Sequence, residues 1–362
     1  MSPLLKKVEK QGIAGILAKR NPAKVSINDF FGNTELIRSE FARLINGEPN
    51  HRVVLVPSVS YGMANVMKNV KVTRTDNIIV AGEQFPSNYY PWHQLQKDTG
   101  VKLKVVSAPD TLKHRGKQWN EHILEAIDSN TKLVALGNVH WADGTKFNLI
   151  EIRKRTRDVG ALLVIDGTQS VGALPFDVAK IQPDALVCGG YKWLMGPYSL
   201  GLAYYGEYFD QGKPVEENWI NRLNSENFAA LVNYQSDYQP GALRYEVGEH
   251  SNFILVPMLL EALKQINQWK PTAIQQYTAA ITKKPIKILK EAGYWVEDDA
   301  YRGHHLFGVR LPEDKLIEPI RKAIKKSKIS VSFRGNAIRV SPHLYNSEAD
   351  LMKLVKALVA KP

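Results

Sequence analysis

The chain has 362 residues, 44% of them hydrophobic, enough for a sizeable core and for two domains. Its single cysteine, Cys188, excludes a disulfide framework, and the formal net charge of +12 is spread along the chain without a nucleic-acid motif. No apolar stretch reaches the length of a membrane span and residues 1–15 lack the apolar core of a secretion signal, so a cytoplasmic protein without membrane or nucleic-acid partners is expected.

Residues 1–24 read as a helix and a loop, expected to pack on the small C-terminal domain. Residues 33–46 carry Leu36, Ile37, Phe41, Leu44 and Ile45 at helical spacing, with Gly47 as the stop. Residues 52–56 form a strand that runs through the small-residue loop 57–62 into a helix over 63–70. Such a junction aims free backbone amides and the positive end of a helix at one point, which suits an anion, although Ser60 also suits a plain N-cap. Residues 77–81 and 131–137 are two further strands; the loop after the first holds Phe85 and Asn88, and the loop after the second holds His140 and Trp141. His140 is a candidate acid or base, or a histidine that is merely hydrogen-bonded. A helix with a charged outer face covers 149–159.

Residues 161–197 read ALLVIDGTQSVGALPFDVAKIQPDALVCGGYKWLMGP. The apolar run 161–165 has no alternation, the pattern of a strand buried on both faces, and it stops at Asp166. A second run, 185–188, stops at Gly189-Gly190 and is followed by Tyr191-Lys192-Trp193. Ligands of open α/β sheets bind outside the carboxyl ends of the strands, so Asp166 and Lys192 are expected on one rim. A simple ion pair would satisfy both. Three features argue for more: the glycine pair permits close approach of something planar or bulky, Gln169 adds an amide, and a lysine Schiff base opposite an aspartate is the recurring protein contribution to pyridoxal phosphate chemistry.

Beyond this stretch, 200–204 is a strand and 206–241 a long aromatic loop suited to a substrate-facing or subunit-facing role. A helix over 253–269 leads out of the large domain. Helices at 273–292, 316–327 and 348–359 alternate with strands at 294–297, 305–310, 328–332 and 337–341, giving a small α+β domain.

DGTQSVGALPFDV followed by GGYKWLMGP resembles the core of the class V aminotransferase superfamily of pyridoxal-phosphate enzymes, which includes cysteine desulfurases, kynureninases and isopenicillin-N-epimerase-like proteins. The resemblance runs over nearly the whole chain. It implies that Lys192 carries pyridoxal 5'-phosphate as a Schiff base, that Asp166 pairs with the pyridine nitrogen, and that Gln169 reaches the ring hydroxyl. It assigns the phosphate to Ser60, Tyr61 and Gly62 and stacks Phe85 on the ring, as in kynureninase-like members. Trp141 stands where many members have an asparagine, and Tyr191 joins the cofactor-binding set. The segment RYEVGEHSN is similar to one that crosses to the partner subunit's phosphate, with Glu249 in place of the usual threonine, so that contact passes to Ser251 or to backbone amides. RVSPHLYNS resembles the kynureninase-like motif whose arginine clamps the substrate α-carboxylate. That residue is Arg339, with Arg334 and Asn88 as further substrate-binding candidates; a guanidinium fork gives a carboxylate two parallel charge-assisted bonds. No metal site is implied.

The expected fold is therefore α/β, pyridoxal-phosphate fold type I, with a mostly parallel seven-stranded sheet, domains at 25–260 and 261–362, and active sites at a homodimer interface. An aminotransferase acting on an amino acid is the leading reading. The alternatives are a kynureninase-like hydrolase, a C–S lyase or an epimerase. A non-enzymatic relative is disfavoured by the intact Asp166, Lys192 and Arg339. A desulfurase is disfavoured because such enzymes place a nucleophilic cysteine just before the carboxylate-binding arginine, where this chain has only Gly335, Asn336, Ala337 and Ile338.

Overall fold

The computed structural model describes residues 1–47, 51–313, 315–335 and 337–359; Asn336 of the arginine segment lies outside them. The apolar runs pair into a seven-stranded sheet made of β1 (Val53–Val56), β2 (Asn77–Ala81), β3 (Lys102–Val106), β4 (Thr131–Gly137), β5 (Leu162–Asp166), β6 (Ala185–Gly189) and β7 (Gly201–Tyr205), in the order β1-β7-β6-β5-β4-β2-β3. The run from β6 to β3 is parallel, and only β7 runs against its neighbours β1 and β6. Every residue of β1, β2 and β6 is buried because helices cover both faces, which is why these strands show no polar alternation. The edge strand β3 escapes a hydropathy reading: Lys102 and Lys104 interrupt its apolar run, and Lys104 leans onto Asp128 at 2.6 Å.

Two helix boundaries differ from expectation. The helix α2 (Ile27–Ile45) begins six residues before 33, at a capping box in which the Ser26 amide donates to Asp29 at 2.7 Å. Asn46, not Gly47, takes the left-handed terminating conformation, at φ 49°. Phe30 and Phe31, both half-buried, pack edge-on against Phe228. Near the start of the chain, α1 (Lys6–Ala18) lies on the helix Leu255–Trp269, with Val8 packed against Met258 and Ala262, and not on the small domain. The expected boundary at 260 falls inside that same helix.

The second unit is a three-stranded antiparallel sheet, β8 (Phe307–Arg310), β9 (Ser332–Arg334) and β10 (Ala337–Val340), ordered β8-β10-β9 and backed by the helices Pro271–Glu291, Ile317–Lys326 and Glu348–Val359. The strand expected at 294–297 is reduced to a single bridge between Trp295 and Arg310, and the one expected at 328–332 starts only at Ser332. The two units are joined at buried Asp143, whose carboxylate takes Arg115 from the large domain at 2.7 Å and Arg310 from β8 at 3.0 Å. Among the described residues no helix is long and apolar enough to cross a membrane.

Candidate active site

β5 and β6 run side by side, with Asp166 paired to Val187, so their carboxyl ends reach one rim. Thr168 ties these ends together: its amide donates to Asp166 Oδ1 at 3.0 Å and its hydroxyl accepts the Gly189 amide at 3.0 Å. The glycine pair serves the chain itself more than a ligand. A Cβ on Gly190 would meet the Leu200 carbonyl oxygen at 2.5 Å, so Gly190 allows the lysine loop to fold back against the start of β7.

Lys192 faces a cleft of about 280 Å³ whose walls include Ser60, Phe85, Trp141, Asp166, Gln169 and Tyr191. The structure thus brings together most of the residues singled out from the sequence. Lys192 Nζ lies 5.3 Å from the Phe85 ring centre and 5.5 Å from that of Tyr191. Phe85 meets Trp141 edge-on at 5.4 Å. Trp141 spends its only donor on the Glu83 carbonyl, at 2.6 Å, so it offers the cleft ring surface and no polar contact. Gln169 accepts the Trp193 indole N–H at 3.2 Å, which fixes its amide and leaves the NH₂ group uncommitted.

The candidate anion site lies where β1 leads into α3 (Val59–Asn69). Ser58 caps the helix by accepting the Tyr61 amide at 3.2 Å, and its hydroxyl lies 2.9 Å from that of Ser60. The amides of Val59 and Ser60 then have no intrahelical acceptor, and the helix dipole adds positive potential. Two expected phosphate residues play other parts. Tyr61 gives its amide to Ser58 and its hydroxyl to Glu216 at 2.7 Å. Gly62 lets α3 pack on β6, since a Cβ there would meet Val187 at 2.6 Å. Ser58, Thr168 and Tyr198 line the cleft without having been singled out; Ser58, one residue ahead of the helix, carried a readable N-cap signal.

Burial pushes the Asp166 carboxyl above its ordinary 3.8, against the Thr168 contacts and Lys192. Burial also holds the Lys192 ammonium below its usual range; Asp166 opposes this, while Arg339 and Arg334 reinforce it. Arg339 is pushed down to about 10 by burial and by Arg334. Its guanidinium donates to the Trp141 carbonyl at 2.6 Å, and that of Arg334 stacks 5.1 Å from the centre of the Trp141 ring. Among the described residues neither arginine has a carboxylate partner, and both act on Lys192, so three cations gather at this end of the cleft and favour an incoming anion.

Other candidates lie elsewhere. His140 is buried behind the rim, against the Gly82 carbonyl at 3.1 Å and Asp143 at 3.3 Å, and has no path to the cleft. Asn88 is fully buried and outside the walls of the cleft; its Oδ1 accepts the Trp92 indole N–H at 3.1 Å, while its Nδ2 has no partner. In the 248–251 segment, Gly248 donates to Glu216 at 3.1 Å, while His250 and Ser251 are buried within their own chain. Cys188 is buried on β6, and burial together with Asp166 drives its thiol well up, leaving it inert.

Comparison with known proteins fits this geometry. Residues 27–354 match the profile of the family described as Aminotransferase class-V. An uncharacterized aminotransferase, YcbU, of Bacillus subtilis is 26% identical over 329 residues, covering 91% of this chain and 84% of its own length. A probable cysteine desulfurase of Pyrococcus abyssi is 32% identical over 159 residues, 43% of this chain and 37% of its own. Among solved structures, the cysteine desulfurase of Thermococcus onnurineus superposes with a TM-score of 0.83 at 20% identity, over 99% of this chain and 92% of that one. The cystine C–S lyase C-DES superposes at 0.85 and 17% identity, over 98% and 94%. At such identities the likeness establishes the fold, a mostly parallel sheet of fold type I.

Proposed function

Because this chain belongs to the class V aminotransferase family, whose cofactor is pyridoxal 5'-phosphate, we propose that it is an aminotransferase acting on an α-amino acid through Lys192. The residues present fit the cofactor. Asp166 is a buried carboxylate in want of a cation, α3 opens with free amides and two serine hydroxyls, and the cleft between them is walled by aromatic rings. When bound, the cofactor supplies the electron sink for charge developing at the amino-acid Cα.

The chain supplies the rest. Asp166 would hold a proton on the ring nitrogen, Ser58, Ser60 and the first amides of α3 would hold the phosphate, and Phe85 and Trp141 would confine the ring. Arg339 takes the α-carboxylate, which fixes which Cα bond stands across the ring. Lys192, with its amine deprotonated more readily than a free lysine, moves the proton at Cα. The convergence of Lys192, Asp166 and an unpaired Arg339 carries this reading. Transfer is favoured over desulfuration because the lone cysteine is buried away from Arg339. Exposed Ile13, Ile16 and Leu17 on α1 and Leu36 on α2 support a homodimer, which sedimentation would test.

The deciding experiment is to mix the purified holoenzyme with a panel of amino acids and follow the cofactor absorbance and the products. Conversion to the pyridoxamine form with release of a 2-oxo acid supports transamination. Release of pyruvate or alanine with the cofactor unchanged would assign a lyase or hydrolase instead.

A further inference from the structure

We propose that a second cavity beside Lys192 receives the substrate side chain and takes a short, uncharged, hydrogen-bonding group, with His343 as the residue that selects it. This rests on the reading of Lys192 and Arg339 given above. The cavity, about 70 Å³, shares Lys192 with the cleft and is bounded by Arg339, Ser341, His343 and Tyr345 from the small domain and by Ser2.

His343 is the buried polar group in this wall without partners. It is 1% exposed, and neither ring nitrogen has a hydrogen-bond partner. Its ring is stacked 5.3 Å from that of Tyr345 and lies 5.8 Å from Trp193, and its amide is pinned to Asn346 Oδ1 at 3.1 Å, so the imidazole is held in place. A buried polar atom left unmade costs free energy, and native folds keep one where a ligand satisfies it. Burial pushes this imidazole down to about 4, so at neutral pH one nitrogen donates and the other accepts. Those are the needs of a hydroxyl or an amide. With Arg339 committed to the α-carboxylate and Lys192 to Cα, the remaining titratable group at the cavity is the Met1 amine, and burial, Lys192 and Arg339 all disfavour its charged form. At roughly 10–15 Å³ for each water-sized occupant, the space suits about five heavy atoms, which excludes indole and phenol side chains.

The outer wall comes from the start of the chain. The Ser2 amide donates to the Tyr191 carbonyl at 3.2 Å, beside Lys192, and α1 anchors this strap from the far side of the helix Leu255–Trp269. Met1 and Ser2 therefore wall the pocket, and a side chain bound beside them is expected to order this end of the chain.

The test titrates the holoenzyme, read by cofactor absorbance, with isosteric pairs: L-serine against L-2-aminobutyrate, and L-asparagine against L-leucine and L-aspartate. The hydroxyl and amide members are expected to bind at least about tenfold more tightly than their partners. His343→Leu should bring these ratios close to one, and His343→Gln, which keeps a donor and an acceptor, should restore part of them. Hydrogen exchange of residues 2–5 should slow on adding L-serine. Amino acids that bind without discrimination in wild type, or discrimination that survives His343→Leu, would overturn the pocket while leaving the aminotransferase reading standing. If no amino acid perturbs the cofactor at all, the functional reading falls and the pocket with it.

Discussion

Arg339 offers the sharpest test, because its charge is unfavourable until a substrate arrives. Burial and the neighbouring Arg334 push its guanidinium down to about 10. At face value that is about 3 kcal/mol against the charged form; the side chain is only half-buried, so solvent screening reduces it to about 1–2 kcal/mol. Arg339→Ala relieves this cost and gives up one hydrogen bond to the Trp141 carbonyl, worth about 1 kcal/mol net. The stability of the ligand-free protein should therefore stay within about 1 kcal/mol of wild type. Substrate binding should change far more, since losing a desolvated carboxylate–guanidinium pair costs on the order of 2–5 kcal/mol, roughly 30- to 5,000-fold in Kd. Arg339→Lys should be nearly as poor, because an ammonium cannot reproduce the fork. The assay pairs urea unfolding with spectral titration, using amino acids and the matching amines that lack the carboxylate. Equal losses for both ligand sets, or a wild type that shows no preference for the carboxylate, would refute the assignment and return Arg339 to a structural role.

Lys192→Ala should abolish the long-wavelength absorbance of a lysine-bound cofactor while leaving the circular dichroism unchanged; retained absorbance refutes the role of Lys192. Asp166 has a folded pKa above its unfolded 3.8, so its contribution to stability is present below that pH and is lost as pH rises through the folded value. Cofactor-free Asp166→Asn should accordingly melt above wild type at pH 8 and level with it near pH 4, and a lower melting point at pH 8 would contradict the burial argument. Asp143 behaves oppositely: despite burial, His140 and Arg115 hold its carboxyl well down, so its contribution is present above 3.8 and lost as pH falls below it. Asp143→Asn leaves Arg115 and Arg310 facing each other and should cost about 3–5 kcal/mol in urea unfolding at pH 7. Gly190→Ala drives a methyl onto the Leu200 carbonyl and should cost about 1–3 kcal/mol, with weaker cofactor retention as the second readout.

The parts of the site that were legible are those where an unbroken apolar strand stops at a residue with chemistry on it. Asp166 and Lys192 announce themselves in this way. Arg339 was legible only through family resemblance, because a lone arginine on a four-residue strand carries no local signal. The strand–loop–helix junction marked the anion site, yet which atoms face the anion depends on the cap: once Ser58 takes the Tyr61 amide, the Tyr61 side chain turns away to Glu216. β3 was hidden by lysines that an edge strand tolerates, and the start of α2 by a polar first turn, although Ser26 and Asp29 spell a capping box. His343 and Ser2 could not be read at all, because they meet Lys192 only after three distant segments have packed.

The reversed direction of β7 has a kinetic side. Gly189 pairs with Gly201, the Gly190 amide donates to the Leu200 carbonyl at 2.9 Å, and the Gly196 amide returns to the Gly190 carbonyl at 2.8 Å. Lys192 thus rides on a loop fastened at both ends and laced across its middle. An amine displaced from its partner on such a tether stays within a few ångströms of it, at an effective molarity far above that of any solute amine. With Lys192 in the proposed role, its return would be limited by side-chain rotation and not by diffusion, so the loop would act as a latch favouring the tethered amine over water and free amino acids.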